Sequence, residues 1–320
     1  MRAAFIQRTG PVDEIVYGQL PVPAIDAQQV LVRVEATAVN QVDTYIRAGT
    51  YTTPLQFPFV IGRDLVGTVE ALGAAVDRFA LGQQVWCNSL GYGGRQGSFA
   101  EFAAVDQDRV YPLPDGVDPV AAVATFHPAA TAFTGLAHHA GAVHAGEVVV
   151  VIGGAGSVGS AVVRFASAMG AAVIAVARAE DEAWCRSCGA SQVIDYRSSS
   201  AAASLGPESV DLYWDASGRN NLAEGVALLR LGGRIVLIAG RRESTFNTWP
   251  LYVKNARVLG FVLSNASVAQ LAEAASAINT KLAHGALSMR IAAVLPLHEA
   301  RQAHRLVEDR SVHGRVVVTI

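Results

Sequence analysis

Glu147 to Arg178 reads EVVVVIGGAGSVGSAVVRFASAMGAAVIAVAR, and the order of residue types within it decides the fold. It opens on an unbroken apolar run, Val148 to Ile152, which suits a strand buried on both faces of a parallel sheet. After Gly153 come Gly154, Gly156 and Gly159 in the spacing G-x-G-x-x-G. From Ser160 to Met169 the residues Ala161, Val162, Phe165, Ala168 and Met169 recur at helical intervals, and Gly170 stops the helix. A second apolar run, Ala172 to Ala177, completes strand–helix–strand. Glycine permits positive φ in the turn, lets backbone N–H groups approach a pyrophosphate, and lets the helix sit close on the strand. The helix N-terminus then faces the phosphate charge. A lone G-x-G-x-x-G is weak evidence. Between a buried strand and an amphipathic helix it predicts a dinucleotide site at Gly153, Gly154, Gly156, Ser157, Val158 and Gly159.

The residue ending the second strand points to the nucleotide. An Asp or Glu there holds the ribose 2′-OH of NAD. Here it is Arg178, a fixed cation suited to a 2′-phosphate, so the expected cofactor is NADP. Glu180 and Asp181 lie close by; their expected place is the first turn of the next helix, where the dipole favours acids.

The chain has 320 residues, 51% apolar and 16% charged, with a net charge of −2. That is long for one domain, comfortable for two, and unlike a disordered chain. Without a Lys/Arg run there is no means of neutralising several phosphates at once, so a nucleic-acid partner is not expected. Lysine occurs only at Lys254 and Lys281, and no G-K-[ST] phosphate loop is present. Cys87, Cys185 and Cys188 are the only cysteines, which suggests a reducing compartment. Cys185 and Cys188 form a C-x-x-C with no second pair to close a zinc site, and their expected role is packing. The N-terminal MRAAFIQRTG lacks a signal peptide's apolar centre, and no stretch reaches the roughly 20 apolar residues of a membrane span. The expected location is the cytoplasm.

Upstream of the glycine motif the pattern is β. Val30, Val32, Val34 and Ala36 alternate with Leu31, Arg33, Glu35 and Thr37. Asp64 to Leu72, Val85-Trp86 and Ser98 to Val105 read as further strands, and glycine and proline mark the turns. Pro119 to Leu136 predicts a connecting helix. Downstream, helix and strand alternate: Asp181–Cys188 helix, Gln192–Tyr196 strand, a short helix near Ser198–Leu205, Val210–Asp215 strand, Leu222–Leu231 helix, Gly233–Ala239 strand and Arg257–Val262 strand. Val268–His284 and His298–Val307 read as helices and Arg315–Ile320 as a last strand. The fold class is therefore α/β: a doubly wound parallel sheet of the Rossmann kind over 119–260, inserted into a β-rich domain made of 1–118 and 261–320.

This order resembles the medium-chain dehydrogenase/reductase superfamily, whose members join a chaperonin-10-like (GroES-like) β domain to a Rossmann domain. Asn40 to Tyr51 (NQVDTYIRAGTY), Gly62-Arg63-Asp64-Leu65-Val66-Gly67 and Asp195-Tyr196-Arg197 are similar to segments of its zinc-independent quinone oxidoreductase (ζ-crystallin-like) branch. The zinc alcohol dehydrogenases take ligands from a Cys matching Asn40, from the His of a G-H-E matching Gly62-Arg63-Asp64, and from a position near His127. One candidate ligand of three does not hold zinc, so no metal is expected.

The resemblance implies a hydride or electron transfer from NADPH to an electrophile already polarised by conjugation, a quinone or an α,β-unsaturated carbonyl. It implies that Asn40, Tyr45 and Tyr51 line the nicotinamide side of the site and carry the catalysis. Tyr51 matches a tyrosine proposed as proton donor in related enoyl reductases, and a phenol is ordinarily protonated at neutral pH. Asn40 and Thr131 are implied nicotinamide contacts, and Tyr196 is expected near the adenine ribose or 2′-phosphate. Ser217, Ala239 and Gly240 follow from lying at carboxyl ends of strands, where ligands sit in open α/β sheets; Phe261, Leu263 and Arg315 follow from resemblance. Arg241 and Arg242 are within reach of phosphate, although exposed arginine pairs are usually solvated. A homodimer through the sheet edge near Arg257–Leu263 is also implied. Two other readings stay open: an NADPH-binding structural or RNA-binding ζ-crystallin-like protein with little turnover, and a zinc alcohol dehydrogenase.

Overall fold

The alternation from Val30 onward becomes an 11-residue strand at the centre of a β-rich unit. The computed structural model describes residues 1–240, 243 and 245–320; Arg241 and Arg242 lie outside the described residues. In this first unit β1 is Arg2–Ile6, β2 Val16–Gln19, β3 Gln29–Val39, β4 Phe59–Val60, β5 Leu65–Leu72, β6 Gln84–Cys87, β7 Phe102–Asp106 and β8 Tyr111–Pro112. β3 pairs antiparallel with β5 on one side and with β7 and the C-terminal strand on the other. Its alternate residues Val30, Val32 and Val34 pack with Leu65, Val69, Val85, Val105 and Val110 in a buried core. An eight-residue helix, Gln41–Ala48, follows β3 within this region; the β pattern had not indicated it.

Pro119 to Leu136 is not one helix. Asp118 caps Pro119–Val123 through the N–H groups of Val120 and Ala121, and a new helix runs Phe126–Thr134. At the break the Thr125 hydroxyl donates to the Ala122 carbonyl at 2.7 Å, a local bond that competes with continuing the ladder.

The dinucleotide stretch folds as strand–helix–strand: β9 Val148–Ile152, helix Ser157–Ala168, β10 Ala172–Ala177. β11 is Gln192–Asp195, β12 Val210–Asp215, β13 Leu229–Leu237 and β14 Arg257–Gly260. The sheet order is β11-β10-β9-β12-β13-β14, all parallel, with the strand order reversing direction between β9 and β12. The helix ahead of β13 ends at Leu228, three residues short of the expected Leu231, because Leu229 already pairs with Val210. Cys185 and Cys188 are both buried beside β10 and β11, which is a packing role.

β15, Ile291–Pro296, was not foreseen; it lies parallel to β16, Arg315–Thr319, which returns to β3. The chain thus divides into Met1–His127 with Ser267–Ile320, and Pro128–Ala266. The sequence boundaries stood at 118/119 and 260/261. Pro119 to His127 stay with the β-rich unit, where Phe126 stacks on Trp86 at 4.1 Å, and Phe261 stays with the other, against Trp214 and His139.

Candidate active site

At the carboxyl end of β9, Gly153 adopts φ +76° and turns the chain. A Cβ on Gly159 would come within 2.1 Å of the Gly153 carbonyl, and one on Gly154 within 2.7 Å of the Ala175 Cβ. These two glycines let helix and turn close onto the sheet. Gly156 is exposed and forms the N-cap, with Ser157 and Val158 opening the helix, so that unused helix N–H groups face outward at a bare backbone. The turn has the form a pyrophosphate requires.

The neighbouring loop completes this face. Gly153 lies against the Ser217 backbone, about a Cβ contact away. Gly218 and Asn220 in turn approach Ala239 and Gly240. The loop is held by a residue the sequence reading did not single out. Asp215 is 1% exposed and accepts hydrogen bonds from Ser217 N and Oγ (both 2.7 Å), Gly218 N (3.2 Å) and Asn220 N (2.8 Å). An Asp ending a strand two residues before Ser is the available signal: it marks a side chain folding onto its own following backbone.

At the end of β10, Arg178 is partly buried and its guanidinium is held by Asp181 at 3.2 Å. Glu180 pairs with Arg197 at 2.9 Å. The two acids lie in the first turn as expected, a 3-10 turn over Ala179–Asp181 that runs into the helix Glu182–Ser187, and they act as ion-pair partners as well. Tyr196 follows β11, its N–H donating to the Ala177 carbonyl at 3.2 Å, one residue from Arg178. The guanidinium of Arg219 lies 5.6 Å from the Tyr196 ring centroid, a second cation that sequence order did not bring to Tyr196. Thr131 and Leu263 are buried, and Phe261 stacks on His139 at 4.6 Å.

In the β-rich unit, Asn40, Asp43, Arg63, Asp64 and Arg315 are each at most 7% exposed. Asn40 is bound at both ends: its Nδ2 donates to Asp64 at 2.9 Å, and its Oδ1 accepts from Arg315 at 2.7 Å. Its backbone N–H donates to Asp43 at 2.7 Å. Arg315 and His127 approach the Asp64 carboxyl at 3.7 and 3.9 Å. Arg315, expected among the cofactor contacts, is a member of this cluster. Burial pushes the Asp64 carboxyl up to about 8, against the pull of Arg315 and the Asn40 hydrogen bond. Burial likewise raises Asp43 to about 6, against Arg63. His127 is driven well below its ordinary value by burial, then by Arg63 and Arg315, so its imidazole is neutral.

This cluster stands where the resemblance aligns zinc ligands. A guanidinium is no ligand, and the Asn40 amide is already engaged. What remains is one imidazole and two carboxyls beside two cations, and the Asp43 carboxyl is bound by the Asn40 N–H. Among the described residues no three His, Cys, Asp or Glu side chains are grouped to hold a metal, while zinc takes three or four N, O or S donors. The donor set does not fit zinc.

Of the tyrosines, Tyr45 is exposed on its helix. Tyr51 stacks on Tyr92, with ring centroids 5.7 Å apart, 10° between planes and 3.5 Å between hydroxyl oxygens. Tyr92 had no sequence signal of its own.

A doubly wound sheet with a glycine turn shaped for pyrophosphate, in one chain with a β-rich unit carrying buried ionisable groups, defines the class of dinucleotide-dependent oxidoreductases. Comparison with known proteins gives the family. Residues 26–115 match the alcohol dehydrogenase GroES-like domain and residues 157–279 the zinc-binding dehydrogenase domain. The chain is 31% identical to the quinone oxidoreductase of Sus scrofa, over 97% of this chain and 95% of that one. It is 32% identical to an NADPH-dependent alkenal/one oxidoreductase of Arabidopsis thaliana, over 75% of this chain and 63% of that one. A solved NAD-dependent alcohol dehydrogenase superposes with a TM-score of 0.90 at 27% identity, covering all of both chains. The chain belongs to the medium-chain dehydrogenase/reductase superfamily, in its quinone oxidoreductase branch.

Proposed function

We propose that the protein is an NADPH-dependent reductase of quinones or α,β-unsaturated carbonyls that works without a metal. The observation carrying this reading is the buried cluster around Asn40: of the three positions where zinc relatives carry ligands, Asn40 presents an amide engaged by Asp64 and Arg315, Arg63 presents a guanidinium, and His127 alone is left as a donor. Lacking a Lewis acid, such a site suits acceptors whose conjugation already polarises them.

Gly153, Gly154, Gly156, Ser157, Val158 and Gly159 hold the pyrophosphate, with Ser217, Ala239 and Gly240 beside them. Arg178 and Tyr196 take the 2′-phosphate, where Arg178 supplies the cation that an NAD-specific acid would deny. Thr131, Phe261 and Leu263 are further contacts of the dinucleotide unit. When bound, NADPH supplies the hydride. The chain's own part is orientation and a proton. Asn40, fixed at both ends of its amide, and Tyr45 position the reacting groups, and Tyr51 gives its phenolic proton to the reduced acceptor. Arg315 serves by holding Asn40.

NADPH oxidation measured with 1,2-naphthoquinone, an alkenal and a simple ketone tests this. Turnover of the first two is expected; activity on the simple ketone alone overturns the reading. Tyr51→Phe is expected to lower turnover of the alkenal more than of the quinone, because a quinone needs less help at oxygen. Stoichiometric zinc in metal analysis of the purified protein would restore the alcohol dehydrogenase reading, and tight NADPH binding without turnover across electrophiles the non-catalytic one.

A further inference from the structure

We infer that Tyr92 and Arg63 tune the proton donor: the Tyr92 hydroxyl and the Arg63 charge hold the phenolate that Tyr51 leaves behind. The inference rests on Tyr51 being the donor proposed above. Tyr51 and Tyr92 come from loops 41 residues apart in sequence, yet their rings are nearly parallel and their hydroxyls face each other at 3.5 Å. That is the outer edge of hydrogen-bond range, as is common where a catalytic bond tightens only with substrate in place.

Two features bring a buried cation to this pair. Arg63 is 2% exposed, and its guanidinium carbon lies 5.3 Å from the Tyr92 ring centroid. Gly91 has φ +63°, and a Cβ there would meet the Gly62 carbonyl at 2.5 Å, so the loop carrying Tyr92 is pressed onto the backbone beside Arg63. The Arg63 charge acts on both phenols as well as on Asp43 and Asp64. Arg95 is the other cation acting on Tyr92.

The electron pair arrives on the acceptor as hydride. The Tyr51 O–H bond then breaks, the acceptor's enolate gains the proton, and a phenolate remains on Tyr51. Tyr92 O–H donates to that oxygen, and Arg63 offsets its charge until solvent returns the proton. Stacking alone would need both rings but neither hydroxyl. Tyr92→Phe keeps the ring and separates the two roles.

The direct test is a titration by NMR of protein labelled with 13C at the tyrosine ζ carbon, with the Tyr51 signal assigned by its loss in Tyr51→Phe. In Tyr92→Phe the Tyr51 signal is expected to move at higher pH than in the natural chain, because the charged form loses a hydrogen bond. An unchanged midpoint overturns the inference. In kinetics, Tyr92→Phe is expected to lower kcat for an alkenal about tenfold. KM for NADPH stays unchanged, and the alkaline limb of the pH profile moves up with the Tyr51 midpoint. Equal losses with alkenal and quinone, or a change confined to KM, would make Tyr92 a packing residue and overturn it. If the unmodified protein turns over neither acceptor, the proposed function fails, and the titration still decides the pair.

Discussion

On the proposed reading Arg178 carries the choice of nucleotide, and its neighbours set how much charge it has to offer. Asp181 occupies one edge of the guanidinium, while Arg219 adds a cation over Tyr196. Arg178→Asp is expected to weaken NADPH by one to two decades relative to NADH, the scale of a charge-assisted contact of roughly 1.5–3 kcal/mol. Equal losses for both nucleotides in a fluorescence titration would remove the NADP assignment. Arg219→Ala should shift the same ratio by less. A different residue governs acid stability. His304 is fully buried, neither ring nitrogen has a hydrogen-bond partner among the described residues, and burial lowers it from 6.5 to about 3. Above pH 6.5 it is neutral in both folded and unfolded chains. Below that the unfolded chain binds a proton that the folded one refuses, so stability falls as pH drops from 6.5 towards 3. The loss is about 1.4 kcal/mol per pH unit, or roughly 2 kcal/mol by pH 5. Urea unfolding at pH 7 and pH 5 should show a shallower acid loss for His304→Leu than for the natural chain; identical losses would show that His304 does not titrate on unfolding.

The turn between β9 and its helix assigns separate tasks to its glycines. In Gly159→Ala the new Cβ meets a backbone carbonyl at 2.1 Å, so the helix must move off the sheet. In Gly156→Ala the nearest atom is 3.2 Å away and the residue is exposed. The first variant is expected to lose both stability, on the order of 2 kcal/mol or several degrees in Tm, and NADPH affinity. The second is expected to lose affinity with little change in Tm. Similar melting losses in both would contradict the close-packing role. This turn was readable in the sequence because its demands fall on the backbone, where only glycine meets them. The buried strands β9, β10 and β12 were readable for a related reason: continuous apolar runs have few other uses. The helix Gln41–Ala48 was hidden because Asp43, Thr44 and Arg47 are buried polar residues that blur its apolar stripe. β15 was missed because its residues are mostly exposed or half-buried and carry no alternation. The polar half of the site was readable only in part. Asn40 and Tyr51 belong to a similar segment, but Tyr92 and Arg219 matter through partners that folding brings together.

At the scale of the whole molecule, the doubly wound sheet ends on β14, whose outer side has no strand partner among the described residues. An open parallel edge is usually covered or paired, and pairing two such edges about a twofold axis gives a closed dimer. The register says which atoms are on offer. The Phe261 N–H donates inward to the Leu237 carbonyl at 3.3 Å, so the N–H groups of Val258 and Gly260, of opposite parity, point outward. Val258 packs on the sheet core, whereas Gly260 has open space, its nearest would-be contact lying 3.9 Å away. Gly260→Pro therefore removes an outward donor while sparing the inner ladder. Light scattering is expected to give twice the 33.5 kDa chain mass for the natural protein and a shift towards the single-chain mass for Gly260→Pro. Circular dichroism should remain unchanged. A natural chain that runs as a monomer rules out the edge-paired dimer, and a variant that stays dimeric moves the interface to another face.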